Sequence, residues 1–579
     1  MATVEFLESL PESHPLIRVK RRAGRVKRRI KRVWWERLNG REYRAWLADS
    51  RTRPAGSVEN EIGLAVIVPV FDPPVNFLKD CLASVVNQTA RHWQLIVSDD
   101  GSTQPAVRDF LATFALEYRD DPRVIVTSGP NGGISAACNR GLDHVTTTWF
   151  GWLDHDDALN PRTIEIFSAE LARHPDTLVI YSDEDKMDAS GKHFELYCKP
   201  DFSPELLLTQ MYLCHFTCFR TEEVLNLGGF RSEFDGAQDF DLALRLLPQL
   251  ADQNVRHLPL PLYHWRAWAN STALTIDAKP WAQEASARAQ QDHLNRTSGG
   301  TVVASAVPGL NEVHPVVVTP ALVSVIIPTV GAKGTNGRMV DAAVASLRMR
   351  ETTVPFEIIA VTTGAIEPID GVDVQVALEP PFNFSQAINA GRSHARGDFL
   401  FLLNDDTVIE SEQPLLRLLE MANDPCVGVV GARLTYPDGR LQHTGMIVLP
   451  SGPTHVHIAR PGSFPGYFGS TLTPRNFSAV TAAAMLVRTS TFDELGGFDS
   501  EFARDFNDVD FCLRARNAGY RIAWTPYAHL THHEGASIVR KKADPQEQDL
   551  FDQRWGSMGI DPYYSPALHQ ELSRLYEAR

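Results

Sequence analysis

The chain has 579 residues, of which 43% are hydrophobic and 22% charged, with a formal net charge of −15, so it is neither disordered nor fibrous and is too long for a single small binding module. Its purely apolar runs, such as Gly63–Phe71 and Phe399–Leu403, fall well short of the roughly 20 residues of a spanning helix. Seven scattered cysteines offer no disulfide framework and suit a reducing compartment, and Met1–Pro15 lacks the pattern of a cleaved leader, so cytoplasmic residence is predicted.

The charge is segregated. Residues 1–53 hold 15 Lys or Arg against 6 Asp or Glu, and ten of the fifteen residues from Arg18 to Arg32 are basic. Trp34, Trp35 and Trp46 follow on what reads as a helix. Basic residues beside Trp suit an anionic membrane surface; a solvated tail and a nucleic-acid contact are the other readings, and the acidic remainder of the chain argues against nucleic acid. The expectation is a basic amphipathic arm over residues 1–55 that meets an anionic membrane through residues 16–48, with no nucleic-acid partner.

Beyond the arm, two copies of one unit are legible. Each begins with a buried-strand pattern ending in proline, Val66-Ile-Val-Pro69 and Val325-Ile-Ile-Pro328. A helical pattern follows, with apolar Phe77, Leu78, Cys81, Leu82, Val85 and Val86 in the first and Val340, Ala343, Val344 and Leu347 in the second. Next come the strands Gln94–Val97 and Glu357–Ala360, an order that predicts a parallel sheet. Ser135–Gly141 and Ser385–Gly391 share S-x-A-x-N-x-G, and thirteen residues past each final glycine stand Asp154 and Asn404, opening LDHDD and LNDDT. Gly228–Phe234 is echoed by Gly496–Phe502, and Gln238–Arg245 by Asn507–Arg514. His264 lies 25 residues after Asp239, as His533 does after Asp508. These repeats predict α/β domains at 56–297 and 321–545, a linker at 298–320, and a tail at 546–579 packed on the second domain.

In open α/β sheets ligands bind at the carboxyl ends of strands, where Ser98–Ser102 and Leu153–Asp157 fall. Clustered carboxylates repel unless a cation joins them, and oxygen ligands suit Mg²⁺ or Mn²⁺, which suit a diphosphate. A cation that neutralises a departing diphosphate prepares group transfer, and an acceptor hydroxyl then needs a carboxylate base. Asp239 and Asp508 are the candidates; each stands six residues before an arginine, Arg245 or Arg514, so a helix cap paired to that arginine is the alternative. Cys214 and Cys218 have a metal-like spacing but lie in an apolar stretch and read as core. The aromatic end, Trp555 and Asp561–Tyr564, suits either an acceptor groove or domain packing.

Both halves resemble the family 2 glycosyltransferases of the GT-A fold, over about residues 63–275 and 322–540, through P-x-F, DDGS, a DxD segment and D-x-D-L-x-L-R. Tyr181–Asp185, Asp235–Asp239 and Tyr263–Arg266 are similar to the O-antigen and polysaccharide-assembling branch. The resemblance implies two tandem GT-A domains, of the Rossmann-like nucleotide-diphospho-sugar transferase type. It implies inverting transfer of a sugar from a nucleotide-diphosphate donor to a growing, lipid-linked glycan at the inner face of the bacterial cytoplasmic membrane. Carried across, Pro69, Phe71, Asp99, Asp100, Asn139 and Asp154 line the first donor site, and Pro328, Thr363, Asn389 and Asn404 the second. Asp154 and Asp156 with His264, and Asp406 with His533, hold Mn²⁺ or Mg²⁺; Asp239 and Asp508 are the bases. The second half departs where Thr363 replaces the second carboxylate of DDGS and Asn404 the first of DxD. Those changes leave open a second half that only holds glycan, and a scaffold without turnover is the remaining alternative.

Overall fold

The computed structural model describes residues 63–268, 280–317, 322–533 and 543–577 apart from 306, 308, 335–336, 557 and 572–573; the predicted arm lies outside them. In the first half the strands are β1 Leu64–Val70, β2 Trp93–Asp99, β3 Val124–Ser128, β4 Trp149–Trp152, β5 Ala158–Leu159, β6 Val179–Asp188, β7 His193–Tyr197, β8 Thr217–Arg220 and β9 Val255–Ala267. They form one sheet in the order β3-β2-β1-β4-β8-β6-β9-β5, with β7 added to β6. Helices α1 Val75–Val86, α2 Pro105–Glu117, α3 Ile134–Leu142 and α4 Thr163–Arg173 are followed by α5 Pro204–Thr209, α6 Thr221–Asn226, α7 Gln238–Leu246 and α8 Pro280–Arg296.

β1, β2 and β4 are buried along their whole length, as apolar strands covered on both faces must be. β1 to β4 are parallel, as their strand–helix–strand order requires, but the sheet is mixed beyond them. β8 runs antiparallel to both β4 and β6, a turn of topology for which Thr217–Arg220 carries no helical crossover pattern.

The second half repeats the plan. A ribbon of β10 Gly300–Ala304 and β11 Asn311–Pro315 occupies the expected linker, anchored where Asn311 donates to Gln290 Oε1 at 2.8 Å. Then come β12 Val323–Thr329, the short pair β13 Lys333–Gly334 and β14 Gly337–Arg338, α9 Met339–Arg350, β15 Phe356–Thr363, β16 Val374–Leu378, α10 Phe384–Arg392, β17 Phe399–Leu403, β18 Thr407–Ile409, α11 Pro414–Met421 and β19 Val427–Thr435. β20 Leu441–His443, the hairpin of β21 Met446–Leu449 and β22 Gly452–His455, and β23 Arg475–Asn476 precede β24 Ala484–Arg488, α12 Thr489–Glu494, α13 Asn507–Asn517, β25 Arg521–His532 and α14 Pro545–Trp555. The order β16-β15-β12-β17-β24-β19-β25-β18 matches the first half strand for strand.

The halves touch directly. Ser203 Oγ donates to Asn476 Oδ1 at 2.7 Å, the Cys198 N–H donates to the Tyr467 hydroxyl at 2.9 Å, and Arg521 meets Glu205 at 3.1 Å. Phe551, Tyr564 and Leu568 of the tail lie in the second half's core, so this end packs the domain. Among the described residues no helix is long and apolar enough to cross a membrane.

Candidate active sites

Both repeated motifs converge on the carboxyl ends of the parallel strands. Pro69 and Phe71 close β1, where the Pro69 carbonyl lies 3.1 Å from His155 Nδ1 and Phe71 is exposed; Pro328 stands beside Val361 at the matching end of β12. Asp99 Oδ1 accepts from the Ser102 N–H at 3.1 Å, shaping the DDGS turn. Asp100 is buried, and its carboxylate accepts from the amides of Gly132 and Gly133 at 2.8–3.1 Å and meets Arg140 at 3.4 Å. It therefore ties β2 to the start of α3. Thr363, its counterpart, ends β15 with no carboxylate to do so.

Asn139 and Asn389, expected at the sugar donor, have another job. The Asn139 amide donates to the Phe230 carbonyl at 2.8 Å and accepts from the Phe230 N–H at 2.8 Å; Asn389 does the same with Phe498, at 2.7 and 3.0 Å. Each amide is thus engaged at both ends by the loop that leads to the candidate base. The glycines fit the same account. A Cβ on Gly229 would lie 2.5 Å from Asn139 Oδ1, and one on Gly141 would lie 2.5 Å from Ile67 Cγ2. The repeated motif is a packing device that docks α3 and α10 between the first strand and the Gly-Gly-Phe loop.

Asp239 and Asp508 sit in the first turns of α7 and α13. The arginine expected to pair with a cap pairs elsewhere: Arg245 Nε binds Asp241 at 3.0 Å and Arg514 Nε binds Asp510 at 2.8 Å, while their other nitrogens hold the carbonyls of Gly229 and Gly497. Asp239 and Asp508 stand outside those ion pairs. Asp239 accepts from the Phe240 N–H at 2.8 Å, and burial pushes its carboxyl above the usual range against the pull of the His215 charge. Asp508 accepts from the amides of Val509 and Ala482 at 2.8 and 3.1 Å.

In the first half, Asp156 Oδ2 accepts from the Trp268 indole at 2.7 Å and Asp154 lies 4.0 Å from His215. Buried Asp157 accepts from the Arg266 N–H at 2.6 Å and from the Tyr263 hydroxyl. Its carboxyl is driven well up by burial and by the charges of Asp156 and Asp154, the repulsion that a divalent cation among oxygen ligands relieves. His264 lies on β9 opposite Ala158, yet its Nδ1 is 2.7 Å from Asp185, and His193 Nδ1 is 3.0 Å from the same carboxylate. Burial raises the Asp185 pKa, but the two imidazoles outweigh it and hold it at about 2. Potential ligand atoms of Asp185, His193 and His264 lie within 4.8 Å of one another, a geometry able to hold a metal ion.

In the second half the histidine is shifted. His533 is exposed, and its N–H donates to the Asp406 carbonyl at 2.9 Å; it is His532 whose Nε2 lies 3.0 Å from the Asp406 carboxylate and 3.3 Å from the Asn404 amide. Strand register explains the correction: β18 pairs Val408, the counterpart of Ala158, with Thr531, so His264 matches Thr531 and not His533. α13 is longer than α7 while the connection to the last strand is shorter, so equal spacing in sequence did not mean equal position. Asp405 instead accepts from the Thr329 hydroxyl at 2.5 Å.

Three side chains escaped the sequence reading. His215, taken as core with Cys214 and Cys218, faces Asp154 and Glu184 at 4.0 and 3.8 Å. Lys199, fully buried, donates to the carbonyls of Leu213 and His215 at 2.6 Å and to Glu184 at 3.2 Å. His257 bridges Asp183 and Asp201 at 2.9 and 2.8 Å. The acidic segment Asp183-Glu184-Asp185 was the available signal, since buried carboxylates require cationic or donor partners.

A family model described as Glycosyl transferase family 2 matches residues 65–218, and one described as Glycosyltransferase like family 2 matches residues 320–547. The y4gI protein of Sinorhizobium fredii is 37% identical over 532 residues, 88% of this chain and 58% of that one. The O-antigen biosynthesis protein RfbC of Myxococcus xanthus is 31% identical over 560 residues, 91% of this chain and 42% of that one. A chondroitin synthase of Pasteurella multocida is 29% identical over 184 residues, 32% of this chain and 18% of that one. The chain spans about half the length of the first two relatives.

Proposed function

The chain belongs to glycosyltransferase family 2, and we propose that each half is an inverting, metal-dependent sugar transferase, the two acting in turn on one lipid-linked surface glycan. The observation that carries this reading is the matched placement of Asp239 and Asp508, each at the head of a helix whose arginine is held by the next carboxylate, Asp241 or Asp510. In that position each carboxylate takes the proton of an acceptor hydroxyl as its oxygen bonds to the sugar carbon. Burial raises the Asp239 carboxyl above its ordinary range, which strengthens it as a base. Asp154 and Asp156 in the first half, and Asp406 with His532 and the Asn404 amide in the second, offer the oxygen and imidazole donors that fit Mn²⁺ or Mg²⁺. Such an ion, when bound, neutralises the departing diphosphate.

The kinship with an O-antigen biosynthesis protein and a chondroitin synthase supports a polysaccharide acceptor, reached at the inner face of the cytoplasmic membrane through the basic arm. A second reading, in which only the first half turns over and the second holds glycan, draws on Thr363 and Asn404 replacing carboxylates. Binding and hydrolysis of a panel of nucleotide sugars with Mn²⁺ or Mg²⁺, run on the wild type, Asp156→Ala and Asp406→Ala, separates the two. Loss of a different donor in each variant supports two transferases; an effect of Asp156→Ala alone supports the holder, and no donor turnover by the wild type supports the scaffold.

A further inference from the structure

The two halves differ most tellingly at one position beside the DxD loops. β4 and β8 pair Trp149 with Arg220, and β17 and β24 pair Phe399 with Arg488, so counting five residues back from each arginine sets His215 of the first half against Ala483 of the second. Both stand next to the first residue of the DxD segment: His215 lies 4.0 Å from Asp154, and the Asn404 N–H donates to the Ala483 carbonyl at 3.0 Å. The candidate bases are near as well: the N–H of Ala482, the neighbour of Ala483, donates to Asp508 at 3.1 Å, and His215 exerts an electrostatic pull on Asp239.

The imidazole has a purpose-built seat. Its ring stacks on Tyr263 at 4.6 Å, the backbone N–H of His215 donates to Glu184 at 3.0 Å, and buried Lys199 grips the carbonyls on either side of Cys214. Strand register gives Leu434 and Leu530 as the counterparts of Glu184 and Tyr263, so the polar seat is replaced by an apolar pair where the histidine is replaced by alanine. Yet the seated ring makes no hydrogen bond to either carboxylate it faces: buried Nδ1 stops at 3.8 Å from Glu184, and Nε2 at 4.0 Å from Asp154. Nε2, on the Asp154 side and beyond hydrogen-bond distance of that carboxylate, is the nitrogen left for a ligand.

We propose that His215 reads hydroxyl groups of the sugar in the first site, and that Ala483, buried in the apolar core of the second, offers no such group, so that the two halves select different sugars. This rests on the transferase reading and adds to it the residue that sets the choice. The imidazole stands 4.0 Å from Asp154, the first residue of the DxD segment, and so borders the expected donor site.

The test compares free nucleotide with nucleotide sugar on the full chain. UDP and dTDP, and UDP-glucose, UDP-galactose, UDP-GlcNAc, UDP-GalNAc and dTDP-rhamnose, are titrated into the wild type, His215→Ala, His215→Asn and Ala483→His, with melting temperatures recorded for each. For the sugar whose binding Asp156→Ala removes, His215→Ala weakens affinity roughly tenfold and His215→Asn less, while affinity for the free nucleotide is unchanged. Ala483→His shifts preference among the sugars bound by the second half. Equal loss of free nucleotide and nucleotide sugar, or no loss of either, overturns the assignment of His215 while leaving the transferase reading intact. Absence of nucleotide-sugar binding by the wild type overturns both.

Discussion

Replacing Asn139 by Ala distinguishes a structural clamp from a contact with the sugar donor. In the structure the amide closes two hydrogen bonds of 2.8 Å with the backbone of Phe230, and the substitution strands that N–H and carbonyl beneath α3. Each stranded group costs about 1–3 kcal/mol, less what water entering the gap restores, so a loss of roughly 2–4 kcal/mol is expected. For a domain of this size that corresponds to a fall in melting temperature of about 5–15 °C. Asn389→Ala provides the second case, with bonds of 2.7 and 3.0 Å to Phe498. Thermal unfolding followed by tryptophan fluorescence, with nucleotide-sugar binding measured well below the transition, checks both. A variant that melts with the wild type but binds nucleotide sugar tenfold more weakly would refute the clamp and restore the donor contact.

Other outcomes follow from the same geometry. His257, pushed up to about 9 by Asp183 and Asp201 despite burial, lies above its ordinary 6.5; its stabilisation is complete below pH 6.5 and is lost as pH rises through 9. The span is worth roughly 3 kcal/mol, so the wild type should lose melting temperature between pH 6.5 and 9.5 while His257→Gln, lower at pH 6, stays flat across that window; parallel curves would contradict it. In the second half His532→Ala should weaken Mn²⁺-supported donor binding at least tenfold and His533→Ala by less than twofold, because only the former side chain meets Asp406. Equal effects in a titration with Mn²⁺ would reverse that assignment. Deleting residues 1–53 should abolish co-sedimentation with anionic vesicles at low salt, and pelleting by the truncated chain would place membrane contact elsewhere.

Much of the fold was legible because it is written twice. The buried strands ending in Pro69 and Pro328, and the glycines at 141 and 391, are constraints on a helix lying against a strand, and such local packing leaves its mark at fixed spacing. The antiparallel β8 was not legible, since a four-residue strand bears no sign of its direction. The acidic candidates at DxD and at the helix heads came from carboxylate chemistry, the repeated order and the family resemblance together. Their partners were not legible: Asn139 looks like a ligand contact in a motif and is a clamp in space, and His533 shares a spacing with His264 but not a register. His215 was hidden by its apolar neighbours. What made it visible is the set of polar side chains from β6, β9 and the segment after β7 that converge beneath it, pairings separated in sequence by up to 48 residues and fixed by the sheet.

The most direct test of two working transfer sites is transfer to a lipid-linked acceptor by Asp239→Asn, Asp508→Asn and the double variant, with nucleotide-sugar affinity measured in parallel. Removing a general base costs about 10²–10⁴-fold in rate, so each single variant should stop one sugar addition, the double variant should stop both, and affinity for the nucleotide sugars should stay within twofold. Full-length product from either single variant at the wild-type rate would contradict the account.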